Sequence, residues 1–475
     1  MASSGGPTVG LDIGSHLIKV AEARPGKGGV VITALGLAPT PAGVLENNVI
    51  VDPAALGQEV KKLLRTAGVS TKRVVSSVSG QSALVVRVIE VPKMSPSELA
   101  DTMKWEVERH VPFAASEVIM DFQAIERPDE PEDAQNMEVL LAVAQQDMID
   151  RHVAMLFAAG LKPVAIDVEP LSAARALIDA EGEATASQRN VVILNIGASN
   201  TDIGVYRGGI LAFPRTLPLA GDSLTKAISD TMGVDAEEAE KLKRENAEIF
   251  MDQIQAPGAT TAAEEGFLDF SGTGPQPPAT TPQPPQRMPF DLSDSAEEQQ
   301  PAHEGQPDIT GRHSFDLSAG GEETPAPAPS APPATTSGQL TETPSHVGDT
   351  QRDPVKQQVF NAIAPVLGEF VTEIRRSLEY YRGRVANNTI DEILVCGGTA
   401  KLPHLDEFLS SELGIPTRVA NPLRFAAVSS KAFSQEYLDE VAALFPVAVG
   451  LAERDLVAAG NGSSKSKGKS KGGGK

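Results

Sequence analysis

A chain of 475 residues exceeds one ordinary domain, so two or more lobes are expected. Its formal net charge of −22 argues against a nucleic-acid surface, and the single Cys396 excludes an internal disulfide, which favours a reducing cytoplasm. Residues 1–8 are too short and uncharged for a signal peptide, and the longest apolar run, around 441–452, is broken by Pro446 and too short to span a bilayer, so the chain reads as soluble or membrane-peripheral.

Residues 9–20 read as strand, tight turn, strand. Asp12 ends the first arm, Gly14 is free to take φ > 0 and leaves backbone N–H groups uncovered, Ser15 adds a hydroxyl, and Lys19 returns a cation toward the turn. The set suits a phosphate with magnesium, although an ordinary β-hairpin has the same pattern. A strand follows at 30–37, an amphipathic helix at 53–67 stopped by Gly68, and a strand at 73–79. A separate block then runs from 83 to 168. Its strand at 83–91 leads to a helix opened by the capping box Ser95-Pro96-Ser97-Glu98 and ending near Arg109. Strands at 118–126 and 137–144, a helix at 147–159 and a strand at 163–168 complete a small α+β subdomain. Glu169-Pro170 opens the next helix.

Residues 191–205 repeat the first design: an apolar strand, the polar Asn195, then Gly197, Ser199 and Thr201 before another strand. Two facing hairpins of this kind would hold phosphates from both sides. A helix starts at Gly221-Asp222-Ser223, and a charged helix at 235–246 carries Glu240 and Lys243 on one face. From 255 to 354 the chain is Pro, Thr, Ser, Gln and acid, with roughly half of all its prolines. Such a segment cannot bury enough apolar surface to offset its ordering entropy and is expected to be disordered. Three islands within it, Leu268-Asp269-Phe270-Ser271, Phe290-Asp291-Leu292-Ser293 and Phe315-Asp316-Leu317-Ser318, are either chance recurrence or a multivalent set of docking motifs. Val355, Val359, Ile363, Val366, Phe370, Ile374, Leu378 and Tyr381 then form a stripe at helical spacing, which reads as core. The strand at 393–396 ends in Gly397-Gly398-Thr399 at a helix start, where backbone approaches a flat or anionic ligand. The tail at 460–475 is Gly/Ser-rich with five lysines and suits either solvent or an anionic membrane surface.

Asp-x-Gly-Ser near the start, x-Ile-Gly-x-x-x-Thr in the middle and Val-Cys-Gly-Gly-Thr-Ala near the end resemble the phosphate and adenosine motifs of the actin-like ATPases, a group that includes actin, Hsp70 chaperones, sugar kinases and FtsA. Lys93-Met94-Ser95, Trp105 through Phe113, Asp167-Val168-Glu169-Pro170 and Arg375 through Tyr381 are similar to the PilM family of type IV pilus assembly proteins. The resemblance implies an α/β, actin-like (ribonuclease H-like) two-lobed fold with an inserted α+β subdomain. Residues 8–82 and 169–190 would form the first lobe, interrupted by 83–168. Residues 191–254 and 355–459 would form the second lobe and the return to the first, with a long insertion at 255–354 and a basic tail at 460–475.

The resemblance also assigns roles. Asp12 holds magnesium through water, and Gly14, Ser15 and Lys19 contact phosphate. Gly197 and Thr201 match the second phosphate loop, Gly221 approaches the nucleotide, and Glu240 and Lys243 bracket the adenosine. Gly397, Gly398 and Thr399 form the purine shelf, and Glu169 stands where relatives orient the attacking water. Asn195 departs from the Asp of ATP-hydrolysing families. Its amide is a weaker partner for magnesium-bound water and cannot accept a proton, so ATP binding with slow or absent hydrolysis is expected.

Family membership further implies a cytoplasmic protein at the inner face of the membrane, recruited by the N-terminal peptide of a PilN-like inner-membrane protein to the pilus platform and its motor ATPases, with a homo-oligomer or ring allowed. An FtsA-like division protein should instead end in an amphipathic membrane helix. A type II secretion L-like protein should continue into a membrane span, and a sugar kinase needs a carboxylate base in the cleft.

Overall fold

The computed structural model describes residues 6–26, 29–80, 83–127, 133–254, 353–385, 389–429 and 433–464. Two sheets share one arrangement. In the first, the strands Thr8–Ile13, Leu17–Gly26 and Gly29–Pro39 run antiparallel, and Arg73–Val78 and Lys162–Val168 add in parallel on the far side of Thr8–Ile13. The short strand Ala427–Val428 closes the other edge. In the second, Asn190–Ile196, Thr201–Arg207 and Ile210–Leu217 are antiparallel, and Glu392–Cys396 and Thr417–Val419 add in parallel beside Asn190–Ile196. The two glycine hairpins of the sequence are therefore equivalent corners of a duplicated lobe.

Both faces of the first sheet are covered, which is why Val9 through Asp12 are buried without alternation. Leu56 and Val60 of the helix Pro53–Thr66 and Met155 and Leu156 of Gln146–Ala158 pack on one face, against Val9, Leu11 and Val20. Phe445, Ala448 and Val449 cover the other with Ala21 and Ile32. In the second lobe the stripe read from sequence is core: Val359, Ile363, Phe370, Ile374, Leu378 and Tyr381 of Pro354–Arg382 are buried with Val192, Leu194 and Val395. Val355, at the mouth of that helix, is the exception at 37% exposed.

The inserted subdomain is smaller than the sequence suggests. Its sheet has the order Leu84–Pro92, Asn136–Gln145, Val118–Ile125. Leu99, Met103 and Val107, one helical turn apart on Pro96–His110, pack on Val139, Leu141 and Val143. The expected capping box is present: Glu98 N–H donates to Ser95 Oγ at 3.4 Å and Ser95 N–H to Glu98 Oε2 at 2.9 Å. The helix Gln146–Ala158 and strand Lys162–Val168 do not belong to this unit, contrary to the 83–168 boundary. The strand lies parallel beside Arg73–Val78, a pairing across a long connection that local pattern does not encode.

Asp353 caps Pro354–Arg382 through a 2.9 Å bond from Val355 N–H, so this helix begins inside the segment assigned to the insertion. The rest of that segment, with its three islands, and the lysine-rich tail from 465 lie outside the described residues. Among the described residues no helix is long and apolar enough to cross a membrane.

Candidate functional site

The two hairpin turns meet. Ser15 and Ser199 bring their hydroxyls to 3.1 Å, and Gly14, Gly197, Gly397 and Gly398 line the same cleft between the lobes. Neither hairpin glycine adopts a positive φ, contrary to the expectation for Gly14. Close approach bears on each instead. A Cβ on Gly14 would stand 3.2 Å from Lys19 Nζ, and one on Gly197 would stand 2.9 Å from Asn200 O. Their own N–H groups close the turns, Gly14 to Leu17 O at 3.0 Å and Gly197 to Asn200 O at 2.9 Å. Gly397 is the position where backbone freedom matters: its φ is +92°, and a Cβ would fall 2.3 Å from Ile196 O.

The expected purine-side residues gather around the second turn. Thr399 Oγ1 donates to Gly197 O at 2.8 Å, and Gly221 N–H donates to the same carbonyl at 3.2 Å. Lys243 Nζ donates to Gly221 O at 3.0 Å and to Thr225 Oγ1 at 2.7 Å, while pairing with Glu240 at 2.6 Å. Burial opposes the charge of Glu240, but hydrogen bonds from Lys243, Thr225 and Arg244 bring its pKa down to about 2. This is a built cluster rather than an exposed helix pair. Gly398 heads a single 3-10 turn, Gly398–Lys401, and the α-helix begins only at Leu405. Thr201, like Gly221, Glu240, Lys243 and Thr399, is not among the residues lining the cavity itself; its buried hydroxyl donates to Leu219 O at 2.7 Å.

At the opposite end lies a cluster of acids around one lysine. Lys19 Nζ donates to Asp12 Oδ2 at 2.8 Å, as the strand register places Asp12 opposite Lys19. Burial alone would lower the Lys19 pKa; Asp12 and Glu169 more than offset it. Asn195 Nδ2 donates to Glu169 Oε2 at 3.0 Å, and the register sets Asp202 opposite Asn195. Burial, then the charges of Asp202 and Asp12, push Glu169 up to about 8, and burial raises Asp202 as well. With the proton held on Glu169, the carboxyls of Asp12 and Asp202 beside Lys19 are the groups left to face a hydrated cation, and the hydroxyls of Ser15 and Ser199 are suitable donors to phosphate. The donor set therefore fits magnesium and a polyphosphate.

Glu169 and Asp202, with Ser79, also line a second cavity, of about 260 Å³. Leu84, Val86 and Arg87 bound it on one side and Arg215 and Thr216 on the other. Both flanking strands, Leu84–Pro92 and Ile210–Leu217, are terminal strands of their sheets.

Comparison with known proteins places this architecture. A model of the type IV pilus assembly protein PilM matches residues 10–265, and a model of the cell division protein FtsA matches residues 192–437. The chain belongs to the PilM family. The solved PilM–PilN type IV pilus biogenesis complex has a chain that superposes on this one with a TM-score of 0.66 at 26% identity, covering 96% of this chain and 99% of that one. The cell division protein FtsA of Bacillus subtilis (strain 168) is 30% identical over 95 residues, 20% of this chain; the match spans about a fifth of FtsA, 21% of its length. The PilM-family assignment carries the actin-like ATPase fold with it.

Asn48, Ser79, Asp202 and His16 line the cleft without having been assigned a role from the sequence. His16 Nε2 lies 3.1 Å from Asp222 Oδ1, a contact that raises the His16 pKa against partial burial. Asp202 was recoverable from register alone, since the hairpin that contains Gly197 must pair it with Asn195.

Proposed function

We propose that this PilM-family chain binds ATP with magnesium in the cleft and acts as the cytoplasmic component of a type IV pilus assembly platform at the inner face of the membrane. The observation that carries the reading is the convergence of Gly14, Gly197, Gly397 and Gly398 on one cavity. Asp12 would hold magnesium through water, with Gly14, Ser15, Lys19 and Gly197 at the phosphates. Gly221, Glu240 and Lys243 would bracket the adenosine over the shelf of Gly397, Gly398 and Thr399. Magnesium supplies charge neutralisation at the phosphates. Glu169 would orient water, yet its carboxyl holds its proton near neutral pH and Asn195 cannot accept one, so hydrolysis is slow or absent. Nucleotide then serves as a ligand that sets lobe closure through its differential affinity for the closed form.

The second cavity is the place for an extended N-terminal peptide of a PilN-like inner-membrane protein. Terminal strands of two sheets line it, and a strand edge recruits an extended chain by adding main-chain hydrogen bonds, here beyond Leu211, since Arg127 already binds the carbonyls of Ile210 and Leu211. The solved complex of a PilM with PilN supports this choice of partner. Through it the chain would join the pilus platform and its motor ATPases, as a monomer, a homo-oligomer or a ring. Calorimetric titration of the full chain with MgATP tests the first half, and binding only at millimolar excess or not at all would overturn it. A pull-down with candidate inner-membrane N-terminal peptides, with and without ATP, tests the second.

A further inference from the structure

Asn48 belongs to no phosphate loop, yet its side chain ends in the cleft. It is the second residue of a two-residue turn joining Leu45–Glu46 to Val49–Ile50. Asn47 and Asn48 have φ of 48° and 65°, the left-handed pair that such a hairpin requires and that Asn tolerates. The tip is held against the end of Arg73–Val78 because Gly80, at φ +123°, carries no side chain; a Cβ there would stand 3.1 Å from the Asn48 Cβ. Asn48 thereby crosses from the first lobe to the second. Its Oδ1 accepts from Ser199 Oγ at 3.2 Å. Its Nδ2 reaches Ser79 Oγ at only 3.5 Å, a marginal bond that leaves the donor available.

The cleft has a direction. Thr399 and Gly221 donate to Gly197 O, and Lys243 sits behind them on Gly221 O, whereas Ser199, Asn48 and Ser79 are joined to one another and line the cleft with Glu169. A nucleotide with its base on the Gly397–Thr399 side would point its last phosphate at Asn48. We propose that Asn48 is a specificity residue that distinguishes a nucleoside triphosphate from a diphosphate. Ser199 turns its hydroxyl from Asn48 to phosphate, and the Asn48 carboxamide donates Nδ2–H to the terminal phosphate. This rests on the nucleotide reading above.

Two variants isolate the carboxamide. Asn48→Gly keeps the left-handed turn and deletes the donor; Asn48→Asp keeps the shape and turn but replaces the donor with an anion. Affinities for MgAMPPNP and MgADP are measured on the full chain by calorimetry, with melting curves to verify folding. Loss of one hydrogen bond to a charged group predicts that Asn48→Gly weakens MgAMPPNP about tenfold and leaves MgADP within about twofold. Asn48→Asp weakens MgAMPPNP further. Equal loss for both nucleotides would mean that the turn is only structural, and an unchanged ratio would overturn the assignment while leaving nucleotide binding intact. If the parent chain binds neither nucleotide, the cleft reading itself falls and Asn48 with it.

Discussion

Ser15 and Ser199, 184 positions apart in the chain, meet hydroxyl to hydroxyl at 3.1 Å, one from each lobe. That contact occupies the line along which phosphates would lie, so ligand entry and the contact exclude each other. The double variant Ser15→Cys/Ser199→Cys should therefore form a disulfide on mild oxidation, since Cys396 is buried and does not compete. MgATP at well above its dissociation constant should slow the crosslink in proportion to the fraction bound. Crosslinking that is indifferent to nucleotide, read on a non-reducing gel, would place the ligand elsewhere.

The acid cluster makes stability depend on pH with a defined sign. Glu169 moves from an ordinary value of 4.5 to about 8 on folding, chiefly by burial. Between those values the unfolded chain releases the proton and the folded chain keeps it. The contribution is thus complete below about pH 4.5 and is lost as pH rises through about 8. Glu169→Gln should flatten the fall in melting temperature across that interval. An unchanged slope would show that Glu169 is not the group responsible.

Asn195→Asp would add a fourth carboxyl beside Asp12, Glu169 and Asp202. The ligand-free variant should melt lower than the parent, and magnesium should recover more of the loss than it does in the parent chain. If the amide is what holds hydrolysis back, phosphate release from ATP should also rise. Turnover equal to that of the parent would mean that Asn195 preserves the hydrogen bonds an Asp would make and is not limiting.

Local chemistry carried much of the fold into the sequence. The capping box at Ser95, the stripe from Val359 to Tyr381 and the Glu240–Lys243 pair are short-range patterns that survive in three dimensions. What local pattern could not carry was pairing between distant strands. Lys162–Val168 reads as the end of the inserted subdomain but lies beside Arg73–Val78. Asn48 reaches the cleft only because a turn from one lobe touches a turn from the other, and the Thr201 hydroxyl is taken up by the carbonyl of Leu219. Gly14, read as free to take φ > 0, does not use that freedom; its missing Cβ spares close contacts with Leu17 O and Lys19 Nζ instead.

Arg127 ties the inserted subdomain to the second lobe. Its buried guanidinium pairs with Glu138 and donates to the carbonyls of Arg207, Ile210 and Leu211 at 3.4, 3.4 and 3.1 Å. Truncation leaves an acid and three carbonyls without this partner. Glu138 is 34% exposed and regains water, so Arg127→Ala should lower unfolding free energy by about 1–3 kcal/mol, the cost of leaving buried acceptors unpaired. Urea denaturation reads the shift, and a change below about 1 kcal/mol, the value typical of an exposed pair, would argue that the guanidinium is solvated.

The chain leaves the second lobe after Ile254 and rejoins it at Asp353, and side chains close the gap between these points. Gln253 and Gln357 exchange reciprocal amide bonds at 2.8 and 2.9 Å, and Lys356 pairs with Glu248 at 2.8 Å. Phe250 and Phe360 pack behind them, tilted by 49° with ring centroids 5.0 Å apart. The two stems thus carry their own contacts, and replacing 255–352 by a short Gly/Ser linker should preserve the fold. Loop-closure entropy changes only slowly with length, so the shortened chain should melt cooperatively at or slightly above the parent temperature. A broad or lost transition would show that residues within 255–352 supply part of the core, and the expectation of a disordered insertion would fail with it.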